Sequence, residues 1–405
     1  MPSYSEPGYF RPYAGRPLSP SVHMKRLIYI LPRLTTRGED HFEAVPALLK
    51  RLHGRCAVTL IAERGDPSIL RHFPFPTIVF PPSNPFRKRW RLWRTLRKEG
   101  RDGAVTFVRI AQTSAIVAAI YGKLCGGRSL YWHCGEIRYT PWSGWRQFFD
   151  WLKSGLPLAL ALRLSDRVVT GTETMAHFYE QEYGVARDKI RIVPNDFDPI
   201  SFRLPHPGER EDLRTKLAFP EGEVILFVHR LSPIRRTDFY LPALLRTLER
   251  FPTAHLLIIG DGPERESLTT VCRAFPAELQ ARCRFLGPKA HAEIGEHMRA
   301  ADIFINPSFV EGFPRVVIEA MGSGLPVLAT DAGGTLDLFP QKLQHMVSSR
   351  HDPDALAAKL AEALAMSSEV RGQIGHELNQ HAQRFQTEVV AEDFLRVIAE
   401  PDQLP

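Results

Sequence analysis

Ser308-Phe309-Val310-Glu311-Gly312-Phe313-Pro314-Arg315-Val316-Val317-Ile318-Glu319-Ala320-Met321 carries two carboxylates, Glu311 and Glu319, separated by seven residues. Just before it, Asp302-Ile303-Phe304-Ile305-Asn306 reads as a buried strand entering a Pro-Ser turn. Just after it, Val316 to Met321 reads as a helix with Pro314 or Arg315 near its first position, which Gly322 to Gly324 would stop. Leu325-Pro326-Val327-Leu328-Ala329-Thr330 is then the next strand. The stretch is a β-loop-α-β unit with one carboxylate in its loop and the other on its helix.

The exposed amides at a helix N-terminus attract a phosphate, and in open α/β sheets ligands settle at the carboxyl ends of the strands. A diphosphate bound there would have a carboxylate on either side. With about 1.5 Å of rise per residue, the two glutamates could reach groups some ~10 Å apart. A nucleotide sugar fits that span, offering hexose hydroxyls at one end and ribose hydroxyls at the other. Taken as an isolated pair, the two would more ordinarily be solvated surface glutamates.

The run from Pro307-Ser308 through Glu311-Gly312-Phe313 and Glu319-Ala320-Met321 to Gly324-Leu325-Pro326-Val327 closely resembles the donor-site signature of retaining GT-B glycosyltransferases of the family 4 type. The resemblance implies an α/β chain of two Rossmann-like domains facing each other across a cleft. Three further blocks accompany it in the right order. His229-Arg230-Leu231-Ser232-Pro233-Ile234-Arg235-Arg236 follows a strand and looks like the family's Gly-Arg-Leu block, in which an arginine and a lysine hold the donor diphosphate. Arg230 matches the arginine and Arg235 stands at the lysine position, keeping the charge and adding a planar fork suited to phosphate oxygens. His229 replaces the customary glycine. Ile259-Gly260-Asp261-Gly262-Pro263 resembles the family's Gly-x-Gly-Pro turn, and Leu286-Gly287-Pro288 its loop beside the nucleobase.

In the first half, His133 ends a strand in Tyr131-Trp132-His133-Cys134-Gly135-Glu136, where the family often has a histidine facing the transferred sugar. It could polarise a hydroxyl and stabilise developing charge, although a satisfied structural histidine fits the position nearly as well. Gly38 sits where the family has a Gly-rich loop approaching the diphosphate, with one glycine where two are usual. The resemblance further implies that Glu311 holds hexose hydroxyls, that the Gly312, Phe313, Arg315 and Val316 segment lines the phosphate side, and that Glu319 grips the ribose. Pro314 cannot donate one of those hydrogen bonds. No metal or other cofactor is expected, because Arg230, Arg235 and the helix dipole would neutralise the diphosphate. Asp196-Phe197-Asp198 matches a metal-binding Asp-x-Asp, but its place after Pro194-Asn195 matches the family's Pro-Asn-Gly-x-Asp turn instead. Asp331-Ala332-Gly333-Gly334-Thr335 lacks the Gly-Lys-Ser/Thr end of a P-loop and is expected to line the acceptor or base side of the cleft.

Length and composition agree with a multidomain globular protein. The 405 residues are 44% hydrophobic and 24% charged, and no apolar run approaches the length of a membrane span. Cys56, Cys125, Cys134, Cys272 and Cys283 are scattered without a Cys-x-x-Cys pair, which points away from zinc or a disulfide framework and towards a reducing cytoplasm. Residues 1–23 lack a signal peptide's apolar centre and read as a disordered extension, with Met24 opening the first strand and a candidate natural start. Residues 24–203 are expected to form the acceptor domain, 204–385 the donor domain, and 386–405 a helix returning to the first domain.

Charge is uneven: residues 1–200 carry about +13 and the remainder about −6. Much of the positive charge lies in Phe86-Arg87-Lys88-Arg89-Trp90-Arg91-Leu92-Trp93-Arg94-Thr95-Leu96-Arg97-Lys98. On a helical wheel Phe86, Trp90, Leu92, Trp93 and Leu96 share one side, so 86–101 could lie on an anionic membrane or pack on its own sheet. The partners expected are a nucleotide-diphosphate sugar, a saccharide or lipid-linked acceptor and such a membrane surface, with no nucleic acid. The expected activity is retaining hexosyl transfer, in the cytoplasm or peripherally at the inner face of the plasma membrane. A GT-B UDP-sugar 2-epimerase and a non-catalytic sugar-nucleotide or lipid-binding protein are the alternatives.

Overall fold

The computed structural model describes residues 26–34, 45–66, 73–100, 103–136 and 145–400. They divide into two compact units, one ending at Pro194 and resuming at Glu388, the other spanning Asn195–Thr387.

The first unit is built on seven strands, β1 (Arg26–Leu31), β2 (Ala57–Ala62), β3 (Thr77–Val79), β4 (Val105–Arg109), β5 (Arg128–Trp132), β6 (Arg167–Thr170) and β7 (Ile190–Ile192). They pair in parallel in the order β3-β2-β1-β4-β5-β6-β7. A parallel sheet is covered on both faces, so its strands read as continuous apolar runs. β1 shows how: Leu27, Tyr29 and Leu31 point into one buried cluster with Leu48, Leu49 and Phe394, while Ile28 and Ile30 point into another with Leu92, Leu96 and Leu158. The final helix, Thr387–Ala399, covers the first of these faces, its Phe394 ring 4.7 Å from Phe107. Arg191 and Glu400 pair at 2.6 Å at its end.

The basic helix spans Pro85–Glu99, N-capped by the Asn84 side chain. The apolar residues that share one side of its wheel divide in exposure. Leu92 and Leu96 are buried and Trp93 meets Tyr121 edge-on at 6.1 Å, but Phe86 and Trp90 are 77% and 53% exposed. Leu92 and Leu96 join the second buried cluster of the sheet with Trp93 packed against it, and Lys88 of the first turn pairs with Glu63 just after β2.

The second unit carries β8 (Val224–Val228), β9 (His255–Ile259), β10 (Cys283–Gly287), β11 (Ile303–Asn306), β12 (Val327–Thr330) and β13 (Val347–Ser348). These run parallel in the order β10-β9-β8-β11-β12-β13, so the strand order reverses between β8 and β11. The division from the first unit falls at Pro194/Asn195 rather than at 203/204, because Phe197 and Phe202 are buried and the Phe197 backbone exchanges hydrogen bonds with Phe385 and Thr387. All five cysteines are free thiols; Cys272 and Cys283 lie with their sulfurs 3.3 Å apart inside the second unit.

Candidate active site

The loops leaving β8, β11 and β12 meet at the carboxyl end of the second sheet, beside its point of strand reversal, where an open α/β sheet offers room for a ligand. β8 delivers His229 and Arg230 and then a 3₁₀ turn, Pro233–Arg235. β11 delivers Ser308 to Pro314, and the helix begins at Arg315 with Pro314 as its N-cap residue and runs to Gly322. Two close approaches hold these loops in register. Gly260 and Gly262 pass so near the His229 and Leu231 carbonyls that an added Cβ would come within 1.9 and 2.1 Å of them. Gly333, with φ +52°, runs equally close beneath the Glu311 carbonyl, and Gly334 donates to the Gly312 carbonyl at 3.0 Å. The Asp331–Thr335 segment thus supports the Glu311 loop from below.

Glu311 is buried and contacted by two basic side chains. It is 5% exposed, its Oε2 lies 2.5 Å from Arg235 Nη1, and its Oε1 lies 3.2 Å from His229 Nε2. Arg235 also donates to the Ser308 hydroxyl and the Val310 carbonyl. Burial alone would raise the Glu311 carboxyl, yet the Arg235 charge and the His229 hydrogen bond hold it at about 2. Glu311 is therefore an ionised carboxylate with lone pairs left to accept from a ligand hydroxyl. Arg235 is thus seated on Glu311, whereas Arg230 is exposed and has no ion-pair partner among the described residues.

Glu319, second of the two carboxylates, is likewise buried, and His291 Nε2 lies 2.8 Å from its Oε1. The His291 ring in turn rests 4.8 Å from Phe202. Gly287 ends β10 with φ +73° and its carbonyl accepts from Gly260, while Pro288 is exposed on the way to the His291 helix. Gly312 and Phe313 are buried and Arg315 and Val316 half-buried; the Phe313 carbonyl accepts from the Asn195 amide at 3.2 Å.

The Asp-x-Asp stretch is a structural turn. Asp196 accepts from the Thr387 hydroxyl at 2.9 Å and lies 3.6 Å from Arg315, while Asp198 accepts from Ile200 N and the Ser201 hydroxyl. Phe197, buried between them, separates the two carboxylates. Among the described residues no group of three or more acidic, histidine or cysteine side chains is placed to hold a metal ion.

In the first unit, His133 follows β5 with Nδ1 2.5 Å from the Tyr179 hydroxyl. Burial pushes its pKa down to about 4, so the ring is neutral and can offer a hydrogen bond but not a charge. Gly38 lies outside the described residues. His229 and His291, which engage the two glutamates, are the site residues that spacing does not reveal.

Residues 209–381 match the family described as glycosyl transferases group 1, and residues 45–199 match glycosyltransferase family 4, so that between them the two cover most of the chain. The chain belongs to the group 1, family 4 type of glycosyltransferases. Among sequence relatives of this family, the D-inositol 3-phosphate glycosyltransferase of Jonesia denitrificans is 31% identical over 241 residues, covering 58% of this chain and 56% of that protein. That of Acidothermus cellulolyticus is 32% identical over 229 residues, covering 54% and 50%. The chain spans about half the length of these curated relatives. The fold is GT-B, shared with Anabaena HepE in complex with UDP and glucose at a TM-score of 0.74, 19% identity, 92% of this chain and 99% of that one. Sucrose-phosphate synthase from Thermosynechococcus elongatus gives the same TM-score and identity over 92% and 98%.

Proposed function

We propose that the protein is a retaining glycosyltransferase that moves a hexose from a UDP- or GDP-sugar to a hydroxyl of a saccharide or lipid-linked acceptor in cell-surface glycan biosynthesis. One observation carries the reading: an ionised, buried Glu311 fixed by two basic side chains where the strand order reverses. Glu311 accepts from hexose hydroxyls, and Glu319 accepts from the ribose. Arg230 and Arg235 take the diphosphate, with Arg235 turning from Glu311 to the phosphate as a donor enters. The Gly312–Val316 segment and the Gly287-Pro288 turn complete the phosphate and base contacts. His133 acts as a neutral hydrogen-bonding ring.

The charge that develops on the departing diphosphate is met by the Arg230 and Arg235 guanidinium groups and by helix amides, so no metal is needed. The acceptor hydroxyl attacks on the face the diphosphate leaves, and the leaving phosphate takes its proton. UDP bound to HepE supports a uridine nucleotide. The phosphorylated cyclitol in the relatives' names supports an anionic acceptor, which suits the basic first half.

The same surface supports a peripheral station on an anionic membrane at the cytoplasmic face. Phe86 and Trp90 project beside Arg89 and Arg94, whose guanidinium lies 4.7 Å from the Trp90 ring, and the neighbouring Gln112–Cys125 helix exposes Ile120 and Leu124. No described helix is long and apolar enough to cross a membrane. Flotation with phosphatidylglycerol vesicles should recover the protein, and F86S/W90S should abolish recovery; equal recovery of the two would remove the membrane from the account.

The activity is tested with a panel of UDP- and GDP-sugars. Release of nucleoside diphosphate only when acceptor is added supports transfer. Conversion of the donor sugar by the protein alone indicates a 2-epimerase, and no turnover with any donor leaves a binding protein.

A further inference from the structure

Asp196 stands where the family's Pro-Asn-Gly-x-Asp turn has a glycine, so this chain places a carboxylate beside the helix that opens at Arg315. The turn runs the length of that helix. At its start the Asn195 amide donates to the Phe313 carbonyl at 3.2 Å, and the Arg315 guanidinium lies 3.6 Å from Asp196 Oδ1. At its end the Phe197 ring lies so near Gly322 that an added Cβ there would come within 2.6 Å of it. Asp196 is itself anchored, its Oδ2 accepting from the Thr387 hydroxyl at 2.9 Å. The Thr387 amide and hydroxyl also donate to the Phe197 carbonyl, at 3.1 and 3.0 Å, and Phe385 meets the Phe313 ring edge-on at 5.8 Å.

A carboxylate this deeply buried is costly unless its partners repay the loss of water, a cost that glycine would avoid. Its contacts, with those of Asn195, converge on residues 313–315, inside the segment that lines the phosphate side of the donor. Pro314, at the centre of that segment, has no N–H, so the amides on either side of it must be aimed without their neighbour. We propose that Asp196 is a positioning residue of the donor site, which together with Asn195 clamps residues 313–315 so that the amides flanking Pro314 are held toward the donor diphosphate. The inference rests on the donor-site reading above. Asn195 fixes the carbonyl that precedes the proline, and Asp196 fixes the side chain that follows it while Thr387 holds Asp196 from behind. Donors held in place before the ligand arrives need no ordering when it binds. The clamp acts on the diphosphate end of the ligand, whereas Glu319 and the Gly287-Pro288 turn serve the nucleoside end, so its loss weakens one end alone.

Calorimetric titration of the full chain with UDP and GDP, and with uridine and guanosine, tests this in wild type, D196G and D196N. D196G restores the family's glycine and removes both side-chain contacts; D196N keeps an acceptor for Thr387 but no charge for Arg315. The diphosphate that wild type binds should bind D196G about tenfold more weakly, the equivalent of one hydrogen bond to a charged group, while its nucleoside binds both equally. D196N should fall between them. Amide hydrogen exchange across residues 312–316 should quicken in D196G without ligand. Should D196G not fold, T387V, which removes the anchor of Asp196 and leaves the turn intact, should show the same selective loss at smaller size. Unchanged diphosphate affinity, or an equal loss for nucleoside and diphosphate, would overturn the clamp while leaving the donor site standing. Wild type that binds neither nucleotide would instead sink the donor-site reading.

Discussion

Glu311→Gln keeps the volume of the side chain and removes its charge. In the folded protein the carboxyl is held at about 2 against an ordinary 4.5, a difference equivalent to about 3 kcal/mol of stabilisation of the ionised form. The direction follows from the depressed value: the stabilisation is complete above the unfolded-state titration and is lost as pH falls through the folded one. By pH 3 about 2 kcal/mol of it is gone. A glutamine cannot recover it, since Arg235 and His229 approach opposite oxygens as donors and one would meet the amide NH₂ instead. The variant should therefore be about 2–3 kcal/mol less stable at pH 7, with the difference narrowing towards pH 3. Urea unfolding should be followed by far-ultraviolet circular dichroism, because all six tryptophans lie between residues 90 and 151 in the other unit. Transfer should fall by about 10²–10³-fold. A loss below about 0.5 kcal/mol, or an equal loss at pH 7 and pH 3, would refute the reasoning about the buried pair.

Arg230→Ala removes an exposed guanidinium without an ion-pair partner among the described residues, so unfolding should shift by less than about 0.5 kcal/mol while transfer drops by about 10²-fold; a large stability change would mean the residue is structural. His291→Ala frees Glu319 and should raise the donor KM with little change in kcat, His291→Gln restoring it; an unchanged KM would detach Glu319 from the ribose. His133 is neutral in the folded state down to about pH 4, so its contribution is complete above pH 6.5 and up to about 3 kcal/mol is lost between there and pH 4. Urea titrations of H133N should show a shallower acid limb over that window, and identical limbs would contradict the burial of the ring.

How much of this was legible follows from how each element is stabilised. Val105–Arg109, Arg167–Thr170 and Val224–Val228 are strands whose apolar residues are buried, which is why they stand out in the sequence as short apolar runs. β13 is two residues long and carries no pattern. Helices Pro353–Ala365 and Ser368–Ala382 lie beyond the reading, although Asp352 before Pro353 and Ser367 were usable capping signals. In the site, the family resemblance marks Glu311 and Glu319 but not what holds them. His229 and His291 reach their glutamates across 82 and 28 residues, contacts that only the sheet topology creates. The wheel for 86–98 puts Phe86 and Trp90 on one side with Leu92 and Leu96, but periodicity records which residues share a side and not which of them are buried.

The central claim is that the second unit binds a nucleotide diphosphate between Glu311 and Glu319. Thermal unfolding of the full chain with UDP and with GDP tests it most directly. One of the two, at a hundred times its dissociation constant, should stabilise wild type by about 2.7 kcal/mol, and the gain should shrink markedly in R230A. No shift with either nucleotide, or a shift undiminished in R230A, would contradict the account.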